Sequence, residues 1–266
     1  MKNKIFRLLS LILIVSACSK VPITGRKQIH LLPESQLLSM SLSEYQSFLK
    51  THPPVNTGAE AALVKSVGAK IQTAVTQYMN QNKMASRISG YKWEFNLVNS
   101  QEVNAWCMPG GKVVVYSGLL PVTQDETGLA IVMGHEVAHA IARHGNERMS
   151  QGLLAMMGGM ALDVALANNS AETRNIFLTS YGIGSTLGVL AYSRLQESEA
   201  DKLGLIFAAM AGYDPQQAIT FWQRMAAKSG GGGTPEFLRT HPSDQKRIAD
   251  LQAFMPEAMK YYKKKS

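Results

Sequence analysis

The chain has 266 residues, 45% of them hydrophobic and 17% charged, enough length and apolar content for one globular domain with a full core. Its formal net charge is +8, but Lys2, Lys4 and Arg7 belong to the first segment and Lys263-Lys264-Lys265 makes a solvated tail. No basic stripe interleaved with aromatics is present, so no nucleic-acid partner is expected, and 2 cysteines exclude a disulfide framework.

The chain opens with a targeting pattern. Lys2, Lys4 and Arg7 precede the apolar run Leu8 to Val15, too short to span a bilayer as a helix but suited to a signal peptide at 1–17. Val15-Ser16-Ala17-Cys18 resembles the lipobox of bacterial lipoproteins, which would make Cys18 a lipid-modified first residue and anchor the protein to a membrane. A cleaved signal with a stray cysteine is the plainer alternative. Ser19 is compatible, by analogy with sorting rules, with the periplasmic side of the outer membrane. A polar, turn-prone leader runs to residue 33, and 34–266 forms the single folded domain. Cys107 is then the one thiol of the mature chain, expected to be a buried apolar side chain without thiol chemistry.

Helices are expected at 34–50 and 59–80, separated by His52-Pro53-Pro54. Tyr91 to Val98, Val103 to Met108 and Lys112 to Tyr116 read as strands, the last two joined by Pro109-Gly110-Gly111. Thr123 with Glu126 reads as a capping box opening the next helix, and Gly145 stands where that helix would end. Residues 151–191 read as two helices packed on the domain, with a membrane hairpin as the alternative, since neither half offers about 20 clean apolar residues. Arg194 to Met210 forms a helix, Asp214-Pro215 opens another, Gly230 to Gly233 breaks the chain, and Thr240-His241-Pro242 starts the last helix. The fold class is α+β: mainly helical, with a small antiparallel sheet of about three strands. An exposed edge at 103–108 could bind an extended polypeptide by backbone pairing, or could be a covered structural strand.

Inside the helix after Glu126 lies His135-Glu136-Val137-Ala138-His139. Residues four apart share a helix face, so the two imidazoles can hold one metal ion, zinc being the usual occupant. Glu136 then has the placement of a general base. Catalytic zinc takes three protein ligands, and Glu197 in Glu197-Ser198-Glu199-Ala200-Asp201 is the best third. Asp201, four residues on, can accept the remaining N–H of a ligand histidine, while Glu199 points elsewhere. An accidental histidine spacing and an acidic solvent face are the plainer alternatives.

His-Glu-x-x-His followed far downstream by Glu-x-x-x-Asp is the gluzincin pattern. With Val103-Asn104-Ala105, Pro109-Gly110-Gly111, the Tyr192 to Asp201 segment, Thr240-His241-Pro242 with Arg247 and the leader Val21 to Arg26, the chain resembles metallopeptidase family 48. That family includes HtpX, the CaaX prenyl proteases, BepA and Oma-like members, and the likeness is strongest to small periplasmic lipoproteins of Oma-like type. The resemblance implies a gluzincin-type protease domain with one Zn2+ per chain on His135, His139 and Glu197, Glu136 as base and Asp201 behind the ligands. It also implies a role for His241, either a fourth ligand closing a resting site or an oxyanion stabiliser; a simple helix-cap residue is the alternative. The function expected is a metalloendopeptidase acting on unfolded or misassembled cell-envelope proteins. A lipoprotein chaperone or assembly factor with structural zinc is the second reading, and an integral membrane protease built on 151–191 the third.

Overall fold

β3 (Glu94–Val98), β4 (Ala105–Met108) and β5 (Lys112–Tyr116) form a sheet in the order β3-β5-β4. In the computed structural model, residues 18–157, 171–183, 192–228, 234–241 and 245–263 are described; the expected signal segment, Gly230–Gly233 and Pro242 lie outside them. Successive strand residues face opposite ways. Val113, Val115, Ala105 and Cys107 enter the main core, while Val114, Tyr116, Trp106 and Met108 enter a second one. A sheet covered on both faces accounts for the unbroken apolar run of β5.

β4 and β5 form the expected hairpin, turning through Gly110 and Gly111 at φ of 84° and 77°. β3 instead pairs with β5 in parallel, Glu94 opposite Lys112. The sheet is therefore mixed, which corrects its expected antiparallel form: the hairpin is set locally, but β3 reaches its place by packing with the helix Ala59–Gln81. β4 is an outer strand, yet Ala105 to Met108 are each at most 4% exposed, and Val103 O accepts from Phe237 N. The open edge considered for peptide binding is thus a covered strand, and on one face Phe48, from the helix Glu34–Thr51, packs edge-on to Trp106 at 5.0 Å.

α1 (Glu34–Thr51) and α2 (Ala59–Gln81) match their expected positions. The leader is folded onto the domain: β1 (Cys18–Lys20) pairs antiparallel with β2 (Lys27–Ile29), and Val21 and Leu32 are buried in the two cores.

After the short α3 (Leu120–Thr123) comes α4 (Glu126–Ala142). Its cap is Asp125, whose carboxylate accepts from Gly128 N at 2.7 Å, rather than Thr123, which lies in α3. Arg143, at φ 62°, makes the left-handed turn expected of Gly145, and α5 (His144–Met157) begins at once with Gly145 inside it. α6 (Ala171–Ser180) packs on α5, with Met149, Leu153 and Phe177 in the second core. Within 151–191, residues 158–170 and 184–191 lie outside the described set; among the described residues no helix is long and apolar enough to cross a membrane.

α7 (Arg194–Met210) has its expected bounds and opens on a Ser193–Gln196 capping box. α8 (Gln217–Ala227), α9 (Glu236–Thr240) and α10 (Gln245–Met259) follow. His241 thus closes α9 instead of opening the last helix.

α4 and α7 make the most extensive helix contact. They cross where both lack a side chain: a Cβ on Gly134 would stand 2.9 Å from Gly204 O, and one on Gly204 2.9 Å from His135 N. This close approach delivers the histidines of α4 to the carboxylates of α7.

Candidate active site

One helical turn brings the His135 and His139 Nε2 atoms to 3.1 Å from each other. Glu197, from the first turn of α7, sets Oε1 3.3 Å from His139 Nε2 and Oε2 3.6 Å from His135 Nε2. His241 adds Nδ1, 3.2 Å from His135 Nε2 and 3.0 Å from Glu197 Oε1. All four residues are buried and all four donor atoms lie within 4.8 Å of one another. A tetrahedral ion with bonds of about 2.0–2.1 Å needs donor separations of about 3.3–3.4 Å. The separations given above, 3.0 to 3.6 Å, bracket that value, and two neutral imidazoles with a carboxylate are the donor chemistry of zinc.

Burial disfavours the charged imidazole, holding His135 below its ordinary range and His139 well below it. Burial opposes the charge on Glu197, but His241 and Arg247 outweigh it and keep the carboxyl well below the usual range. Burial also acts against a charged His241, yet Glu136 and Glu197 raise it. Glu136 is pushed up to about 7, mainly by burial. Among the described residues its Oε1 makes no hydrogen bond, and it lies 3.5 Å from His241 Nε2. A buried carboxylate oxygen without a hydrogen bond beside a donor cluster is poised to take a proton.

Aromatic rings wall the cluster. Tyr192 lies 3.9 Å from the His139 ring, Phe237 stacks on His241 at 4.7 Å, and Trp222 meets His135 edge-on at 5.4 Å. Cys107 is buried, as expected, and its thiol is raised well above the ordinary range, chiefly by that burial.

Behind His135, Nδ1 is 2.9 Å from Asp201 Oδ1, the contact anticipated for Asp201. Arg247 donates to both Asp201 oxygens at 2.9 and 2.6 Å, stands 2.9 Å from Glu197 Oε2, and lies 3.3 Å over the Trp222 ring. Behind His139 stand two residues given no role from the sequence. His144 Nδ1 is 3.0 Å from His139 Nδ1, and His144 Nε2 is 3.1 Å from Glu199 Oε2. Glu199 does point away from Glu197, as a two-residue helical step requires, but into this buried arrangement rather than to solvent.

The model of peptidase family M48 matches residues 68–255. Mitochondrial metalloendopeptidase OMA1 of Schizosaccharomyces pombe is 37% identical over 188 residues, covering 69% of this chain and 53% of that protein. OMA1 of Saccharomyces cerevisiae is 33% identical over 82% of this chain and 61% of its own length. The beta-barrel assembly-enhancing protease of Escherichia coli is 31% identical over 67% of this chain and 38% of its own. In each case the chain spans less than two thirds of the relative.

Proposed function

The chain belongs to peptidase family M48, and on that premise we propose that it is a zinc-dependent metalloendopeptidase whose ion is held by His135, His139 and Glu197. The observation that carries this reading is the four-donor cluster beside a Glu136 oxygen that makes no hydrogen bond among the described residues. Zinc bound there would polarise the scissile carbonyl and lower the pKa of water from about 15.7 towards about 7. Glu136, raised to about 7, takes the proton of the attacking water through Oε1 and returns it to the leaving amine. Asp201 accepts from His135 Nδ1 and fixes that ring, leaving Nε2 for the ion. Tyr192, Phe237 and Trp222 keep bulk water from the imidazoles and so strengthen every charge interaction at the site.

His241 belongs, in this reading, to a resting arrangement. Its Nδ1 is 3.0–3.2 Å from Glu197 and His135, a few tenths of an ångström inside the separation of about 3.3–3.4 Å at which it would serve as a fourth tetrahedral ligand. His241→Ala is therefore expected to raise basal cleavage; a fall would favour the oxyanion role.

The substrates proposed are unfolded or misassembled proteins of the cell envelope, met on the periplasmic side of the outer membrane by a protein anchored through lipid on Cys18. Support comes from the first 18 residues and from a relative named for β-barrel assembly. Cys18→Ser should move the protein from the membrane to the soluble fraction.

Cleavage of unfolded casein by the zinc-loaded full chain, beside Glu136→Gln, tests the central claim. The parent should cleave and the variant should lose about 100- to 10,000-fold while keeping its zinc. Equal cleavage by both would refute the assignment of Glu136. Zinc binding without cleavage by either the parent or His241→Ala would favour the chaperone reading.

A further inference from the structure

His139 and His144 are five residues apart, which on an unbroken helix would turn their side chains about 140° from each other. They meet because Arg143 takes φ 62° between α4 and α5 and swings His144 back over the preceding turn. His144 is 0% exposed and offers Nδ1 to His139 Nδ1 at 3.0 Å.

The protons in this arrangement have one consistent order. If His139 Nε2 faces the ion, its Nδ1 carries the hydrogen and donates to His144 Nδ1. His144 then carries its hydrogen on Nε2 and donates to Glu199 Oε2 at 3.1 Å. Glu199 is itself held by the leader. Thr24 Oγ1 donates to Oε1 at 2.5 Å, Arg26 Nε reaches Oε1 and Oε2 at 3.0 and 3.2 Å, and Arg26 Nη2 reaches Oε2 at 3.0 Å. The same guanidinium forks onto Glu147 at 2.6 and 2.8 Å, and Gln196 donates to Glu147 at 2.7 Å. A fork between two carboxylates is a contact that arginine makes and lysine does not reproduce.

We propose that His144 and Glu199, clamped by Thr24 and Arg26, are positioning residues that fix the tautomer and ring direction of His139, so that the N-terminal leader is a working part of the metal centre. The proposal rests on His139 being a zinc ligand. His144 is then an imidazole inserted between ligand and carboxylate, lengthening by one link the usual pairing of a ligand histidine with an acceptor.

The experiment measures zinc affinity of the full chain by chelator competition, the visible absorption of the cobalt-substituted protein, and the melting temperature of the metal-free form. His144→Phe keeps ring volume but removes the acceptor; it should weaken zinc about 10- to 100-fold and alter the cobalt bands. Arg26→Met should act in the same direction from the far end of the relay, and Arg26→Lys should recover part of the loss. A merely structural role would lower the metal-free melting temperature while leaving zinc affinity and the cobalt spectrum at parental values, and that result would overturn the proposal. Should His144→Phe not fold, the pair of variants at the partly exposed Arg26 decides the question alone. A parent that binds no zinc would overturn the metal reading itself, whereas a zinc-binding parent with unchanged variants would overturn this inference only.

Discussion

The two histidines of α4 proposed to hold the ion are backed differently. His135 has a carboxylate directly behind it, and the cation that holds this carboxylate, Arg247, comes from α10 near the C-terminus. His139 has an imidazole first, then a carboxylate, and its cation, Arg26, comes from the leader. Both carboxylates are on α7, yet one side is short and sealed and the other is long and partly open: the Arg247 side chain is 5% exposed and that of Arg26 22%. The lesson is that one helix can serve two histidines by alternating its acids at steps of two, provided each end of the chain brings an arginine.

The largest test of this contrast is Arg247→Leu. It leaves Glu197 and Asp201 buried without their cation and should cost about 3–5 kcal/mol in denaturant unfolding of the metal-free protein. Arg26→Met removes a cation that water partly reaches, and about 1.5–3 kcal/mol is expected. If the two variants lose equal stability, the sealed and open sides are not distinct. Gly204→Ala strikes the crossing that both sides share. Its Cβ meets the His135 backbone at 2.9 Å, so about 1–3 kcal/mol should be lost and zinc affinity should fall with it. An unchanged affinity would show that the helix crossing does not set the ligand geometry.

The smallest effect concerns pH and the leader. His30 is lowered to about 4, first by burial and then by Arg143 and Arg87. The unfolded chain therefore takes up this proton near pH 6.5, and the folded chain only near pH 4. Its contribution is complete above about pH 6.5 and is lost as pH falls towards about 4. His30→Gln should flatten stability against pH across that window; an unaltered slope would mean His30 is not the group titrating.

Much of this site is legible in local spacing. His135 and His139, and likewise Glu197 and Asp201, are four apart on helices whose apolar pattern is plain, so each pair's common face follows from helix geometry. His144 was not legible, because the break that redirects it occurs at Arg143, where nothing in the residue type announces a left-handed turn. With Gly145 read as the terminator, the next helix could not be seen to start at His144. Arg26 meets Glu199 across 173 residues, a pairing that no local pattern encodes. The sheet shows the same division. Its β4–β5 hairpin is written in Pro109-Gly110-Gly111, whereas the parallel partner of β3 depends on how α2 packs.

Trp222 lies between Arg247 and His135, a guanidinium over its face and an imidazole at its side. Indole emission responds to charge held close to the ring, so this residue is a built-in optical reporter of the site. Of the 3 tryptophans in the chain, Trp93 and Trp106 belong to the sheet region and its covering rings. The part of a fluorescence change on metal titration that Trp222→Phe abolishes therefore reads the His135 side, and it does so without a label.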